Sequence, residues 1–252
     1  MDRIKAAEQY VYQLYRGDSF ILKETDPEFA AIKERLIYGE IYTETKLDDK
    51  LRELVILVVA STNQTMSELR RHTRAAIHCG VTLEKIKEAV YHCTPYIGFG
   101  KAEAAVEAVN ETLSLLGIPQ LATSGQTVTE ENRLTDGIAT QKAIFGESID
   151  TMRASTPDDQ KRIQDYLSAY CFGDFYTRKG LDLRERELLT FAVLVAQGGC
   201  EPQVKAHVGG NHAVGNGRDI LLAALTCCLP YIGFPRTLNA LACINEVLPN
   251  EP

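Results

Sequence analysis

Nowhere does this 252-residue sequence run apolar for the roughly 20 residues that a helix needs to cross a bilayer. Its richest apolar run, 54–60, is far shorter, so no membrane partner is expected. The opening segment MDRIKAAEQYVYQLYRGD mixes charges into a helical pattern and lacks the uninterrupted core of a signal peptide, which makes the cytoplasm the expected location. Positive charge is also scarce: 27 Lys and Arg stand against 34 Asp and Glu, for a net charge of -7. Phosphate binding needs a basic face, so no nucleic acid is expected as a partner. Alternation of period two is absent over any useful length, which leaves an all-α class. Metal-ligand spacing is missing as well. His78, His92 and His212 have no partners at such spacing, and His207 and His212, five apart, leave a common helical face, so no metal is expected. Gly209-Gly210 and Gly215-Asn216-Gly217 follow no strand and make no nucleotide fingerprint. No cofactor is implied.

What is present is a core, since 45% of residues are hydrophobic, and a repeat. PYIGF occurs at 95–99 and again at 230–234, a shift of 135. Leu47-Asp48 with Arg52-Glu53-Leu54 aligns with Leu181-Asp182 and Arg186-Glu187-Leu188 at a shift of 134, and Gly39-Glu40-Ile41-Tyr42 with Gly173-Asp174-Phe175-Tyr176 at the same shift. His72 matches His207 and Gly80 matches Gly215 at 135. A repeat this long is a domain rather than a solenoid unit. The stretch 118–131, with Pro, Ser, Gly and Thr and no apolar periodicity, reads as the linker. Two tandem copies of one helical module are expected, at 1–121 and 122–252.

Within the copies, Leu47, Leu51, Leu54, Val55, Val58 and Val59 fall on one helical stripe. Asp182 with Glu185 makes a capping box, and Gly80 before Thr82 marks one helix ending and the next being capped. The stretch 101–116 is a further helix, Pro95 ends or kinks the one before it, and Thr156-Pro157 reads as an N-cap followed by a first-turn proline.

The second copy holds Cys200, then Gln203 and His207. Cys200 follows Gly198-Gly199, so a helix N-terminus is expected beside it, where the partial positive charge favours thiolate. His207 lies two turns further on, and Glu187 sits on the preceding helix. Antiparallel packing of the two helices would bring carboxylate, thiol and imidazole together. The first copy keeps Glu53, Glu68 and His72. Glu68 and His72, one turn apart, are either an oriented imidazole pair or an ordinary pair on a solvated helix. The first copy is thus expected to be structural, or to lend residues to a shared pocket. The seven cysteines, an odd number with no export signal, are expected to be free; Cys171, Cys227 and Cys228 read as helix-core residues first and as resolving thiols for an oxidised Cys200 second.

The pattern Glu187…Cys200-x-x-Gln203-x-x-x-His207, followed by Gly215 and Tyr231-Ile232-Gly233-Phe234-Pro235-x-x-Leu238-Asn239-Ala240-Leu241, resembles the carboxymuconolactone decarboxylase family, which includes the alkylhydroperoxidase-D-like proteins. So do the stretch RLTDGIATQKAIFG and the segment CFGDFYTRKGLDLRERELL. The resemblance covers nearly all of the second copy and, more weakly, the first. It implies helical modules that assemble into trimers or hexamers, hence a homo-oligomer. It also implies cofactor-free decarboxylation of a small carboxylated lactone. In that reading His207 donates the proton, Glu187 is its partner, and Arg186 or Lys205 holds the substrate's carboxylate. The peroxidase branch uses a C-x-x-C pair, and here Gln203 occupies the second position, while Thr65 and Glu68 occupy both in the first copy. An internal disulfide relay is excluded; a single-thiol peroxidase centred on Cys200 is the alternative. A non-catalytic assembly module is the third reading.

Overall fold

The computed structural model describes residues 2–16, 22–121 and 123–250. Residue 122, at the expected boundary between copies, lies outside them, as do Met1, Gly17 and Asp18 of the opening segment. The described residues are helical, without strands. The helices that build the site are α1 (Arg3–Tyr15), α2 (Asp49–Asn63), α3 (Met66–His78), α4 (Leu83–His92), α5 (Phe99–Leu115), α6 (Arg133–Phe145), α7 (Ser148–Ser155), α8 (Lys161–Tyr166), α9 (Leu183–Gln197), α10 (Glu201–Ala213) and α11 (Arg218–Val247).

Helices α2 and α9 are the equivalent central helices of the two copies, and they pack against each other. The apolar stripe predicted for α2 understates its burial. Every residue from Arg52 to Thr62 is buried, because the partner copy covers the face that a lone module would leave to water. Helix α9 is buried in the same way from Arg186 to Ala196, and a single apolar core runs through both halves. Local signals set the helix ends: Asp182 and Glu185 form the expected capping box, and Gly80 has φ of 78° ahead of Thr82, which caps α4. Thr156-Pro157 does not start a helix. Thr156 ends α7, its hydroxyl donating to the Met152 carbonyl at 2.7 Å, and α8 begins only at Lys161.

Two π-helical segments, Arg35–Ile41 and Leu167–Tyr176, went unread in the sequence. They contain the repeated Gly39 and Gly173, whose missing side chains let α1 and α6 come close. A Cβ on Gly39 would stand 2.2 Å from the Arg3 carbonyl oxygen, and one on Gly173 2.2 Å from that of Arg133. Each contact carries a matching ion pair, Arg3–Glu40 and Arg133–Asp174.

Helix α11 is long and apolar enough to cross a membrane by length and composition. It is nonetheless two helices in one, broken at Gly233 with φ of 75° between Pro230 and Pro235, and its buried residues belong to the shared core.

Gly137 on α6 is closer still to its neighbour: a Cβ there would sit 1.9 Å from the Ser168 carbonyl oxygen. Gly137→Ala should cost about 1–3 kcal/mol through overpacking, whereas Gly209→Ala, mid-helix with nothing within 4 Å, should be neutral or gain up to about 1 kcal/mol. Denaturant midpoints for the two variants test this, and equal shifts would contradict the packing argument.

Candidate active site

Glu187 projects from α9 and His207 from α10. Their side chains meet with Nδ1 of His207 2.8 Å from Oε2 of Glu187, whose side chain is fully buried. Asn211, one turn beyond His207, donates to the backbone carbonyls of both Glu187 and His207 at 2.9 and 2.8 Å, which fixes one helix against the other. Gly210 makes room for the carboxylate, since a Cβ there would lie 2.5 Å from Oε2 of Glu187. The other carboxylate oxygen accepts from the Tyr176 hydroxyl at 2.8 Å. Tyr176 shares hydrogen bonds with Thr190 at 2.7 Å and with Tyr96 at 3.0 Å. Burial pushes the Tyr96 and Tyr176 hydroxyls well above their ordinary range, so both keep their protons. With a carboxylate accepting from Nδ1–H, the imidazole has Nε2 left for chemistry.

His207 lines a cavity of about 750 Å³, together with Tyr96, Phe145, Tyr170, Phe172 and Gln203 among others. Phe145 meets the imidazole edge-on at 5.4 Å between centroids and helps to hold its plane. Pro95 and Tyr96 of the first copy form part of this cavity's wall.

The first copy repeats the pair with a different surround. Nδ1 of His72 is 2.7 Å from Oε2 of Glu53, and Tyr42 donates to Glu53 at 3.2 Å. Both side chains of the pair are fully buried. Here the second copy supplies a residue: the Tyr231 hydroxyl sits 3.0 Å from Nε2 of His72 and occupies the edge that His207 turns to its cavity. Glu68 is not the orienting carboxylate. It stands 3.8 Å from Nε2, held by Lys33 and Arg71. Burial would raise its carboxyl, but the two cations outweigh that and keep it below the usual range.

Three expected roles do not fit this geometry. Cys200 is the N-cap of α10, with φ of -135°, and its thiol donates to the Leu194 carbonyl at 3.3 Å. It lines a different cavity, of about 260 Å³, with Arg236, Asn239 and Cys243. Glu187 and His207 therefore meet without it. The two-turn spacing to His207 implied a shared face only if Cys200 were itself helical. The expected low thiol pKa is reversed too, because partial burial, with Glu201 and Cys243 adding to it, pushes the thiol up. Arg186 is fully buried and binds Glu88 at 3.2 Å and the Arg178 carbonyl at 2.6 Å, facing the first copy rather than the cavity. Lys205 is half-buried on the opposite face of α10 and pairs with Glu246 at 2.7 Å. Neither lines the cavity as a carboxylate holder.

The profile of the carboxymuconolactone decarboxylase family matches twice, at residues 27–111 and 161–246. The chain belongs to that family. Both of its modules carry the Glu–His pair. It is similar to a 4-carboxymuconolactone decarboxylase of Acinetobacter baylyi, 32% identical over 97 residues that cover 38% of this chain and 72% of that protein. It is also similar to the nitrosuccinic acid decarboxylase npaB of Metarhizium robertsii, 34% identical over 77 residues, 31% of this chain and 54% of the relative's length. An uncharacterized protein of Methanocaldococcus jannaschii is 32% identical over 93 residues, 36% of this chain and 84% of its own.

Tyr176, Tyr96, Asn211 and Gly210 are the site residues that the sequence reading passed over. Tyr96 and Tyr176 are legible in the sequence as repeated residues, matching Tyr231 and Tyr42, and repetition by itself marks only the duplication. The raised Cys200 thiol should be alkylated by iodoacetamide more slowly than free cysteine near pH 7, with the rate still climbing as pH passes the ordinary thiol range. Peptide mass spectrometry measures this, and faster-than-free labelling would restore an activated thiol.

Proposed function

We propose that this member of the family is a cofactor-free, decarboxylase-type enzyme, acting by proton transfer at His207 on a carboxylated lactone or ring. One observation carries the reading. Of the two equivalent Glu–His pairs, the one in the first module is sealed by Tyr231, while the one in the second borders a cavity. The decarboxylases among the relatives favour the same class of reaction.

In this scheme the bond between ring carbon and carboxylate breaks, carbon dioxide departs, and the electron pair stays on the ring, delocalised into its carbonyl. Protonated His207 gives its Nε2 proton to that carbon. It keeps Nδ1–H on Glu187, whose carboxylate stabilises the imidazolium before transfer. Solvent then returns the proton to Nε2. Tyr176 and Tyr96, held as donors by their burial, keep the Glu187 carboxylate aligned with the ring. Cys200 has no part.

Release of carbon dioxide from carboxylated lactones by the purified protein tests the scheme. His207→Gln should lower kcat by about 10²–10⁴, and Glu187→Gln should lower it as well, through a misoriented imidazole. Tyr231→Phe, at the sealed pair, should leave kcat as it is. Activity that survives His207→Gln would refute the assignment.

A further inference from the structure

Resting on the assignment of the His207 cavity as the reaction site, we infer that its substrate carries a single carboxylate on an extended aromatic or alkyl body, and is not a compact dicarboxylate. Among the described residues, the cavity wall contains no Lys, Arg, Asp or Glu. Most of its large residues are apolar or aromatic, Phe145, Ile149, Met152, Leu167, Tyr170 and Phe172 among them, and its amides are those of Gln141 and Gln203. Among the described residues, His207 is the one basic side chain in that wall, and it can meet one carboxylate. A second carboxylate would be taken from water to a wall with no cation to receive it, which is strongly unfavourable.

Among the described residues, the basic side chains near the wall are held by partners outside it, except Arg162 at the exposed outer rim, whose Nε donates to the Tyr166 hydroxyl at 2.8 Å. Arg153, on the same helix as Ile149 and Met152, turns to Asp165 at 2.6 Å and Ser168 at 3.0 Å. Lys142, on the helix that supplies Phe145, pairs with Asp150 at 2.5 Å. Arg186 and Lys205 are committed to Glu88 and Glu246.

Size and shape agree with this chemistry. At about 750 Å³, the space lies in the upper part of the roughly 300–1,000 Å³ range of sites that enclose drug-sized molecules. The apolar wall continues outward through Ile163 and Tyr166, 68% and 54% exposed, so a long body could follow it toward the surface. Gln203, one of the polar wall residues, lies one helical turn before His207, at the position where a second cysteine would stand in a dithiol enzyme. It offers an amide beside the imidazole, which suits a lone carboxylate or lactone oxygen. An apolar wall around the departing carboxylate also favours the neutral product over the anion.

Calorimetric titration of the full-length protein with 2-naphthoate, an aryl monocarboxylate, and cis,cis-muconate, a compact dicarboxylate, tests the inference. Naphthoate should bind at least about tenfold more tightly. Met152→Arg, which adds a cation to the wall, should narrow or invert the preference, and Leu167→Arg at the more exposed edge provides the same test should the first variant not fold. Tighter binding of muconate by the unaltered protein, no binding of naphthoate at millimolar concentration, or a preference unmoved by the added cation in a folded variant overturns the inference. The reaction assignment fails separately. Carbon dioxide release insensitive to His207→Gln would remove the chemistry while leaving naphthoate selectivity in place, whereas His207-dependent release from compact dicarboxylates without naphthoate binding would do the reverse.

Discussion

Helices α2 and α9 lie against each other at the centre of the molecule and are buried on all sides, yet each carries an adjacent Arg–Glu pair with no exposure to water: Arg52-Glu53 and Arg186-Glu187. A buried charge without partners is prohibitively costly. The surrounding elements supply imidazoles and hydroxyls to the two carboxylates and countercharges to the two guanidiniums, although Nε and Nη2 of Arg52 and Nε of Arg186 stay without a hydrogen bond. Glu53 takes His72 and Tyr42, and Glu187 takes His207 and Tyr176. The guanidinium of Arg52 lies 3.7 Å over the Tyr42 ring and 2.8 Å from Asp49, while Arg186 reaches across to Glu88.

The two copies answer the same demand differently, and the difference separates a sealed pair from an open one. Each PYIGF segment delivers its tyrosine to the other copy. Tyr231 caps the free edge of His72. Tyr96, its counterpart, bonds to Thr190 and Tyr176 instead, which leaves the corresponding edge of His207 uncapped. Position 190 decides part of this: a threonine there draws the Tyr96 hydroxyl inward, where the first copy has Ile56, with no hydroxyl to offer. Gly210, standing where the first copy has Ala75, leaves space for the Glu187 carboxylate beneath Phe145 and Ile144. Duplication has thus kept the supporting pair in both halves while the surrounding substitutions differ.

This arrangement also explains why the halves share their core. Bonding Tyr96 to Thr190, pairing Arg186 with Glu88, and bonding His92 to Thr190 at 2.8 Å all tie first-copy elements to α9. Burial pushes His92 well below its ordinary range, with the Arg186 charge adding to the effect, so it stays neutral and serves as a hydrogen-bonding strut.

The sequence was enough to establish the helical class, the duplication, the family, the capped start of α9, and Glu187 and His207 as side chains worth watching. Each of these depends on local periodicity, on capping chemistry or on residues repeated at a constant shift, and all are written along the chain. Only the tertiary structure decided which polar residues meet. Helical spacing places Cys200 beside His207, but Cys200 is a non-helical cap whose side chain turns toward another cavity. Arg186 adjoins Glu187 in sequence and therefore points to a different side of α9, and Lys205 stands two residues before His207 and faces the opposite way. The partners that complete the site, Tyr96 above all, arrive from a segment 91 residues before Glu187. Spacing along one chain reports which face a side chain shares with its own helix; it carries no record of what another helix will bring to that face.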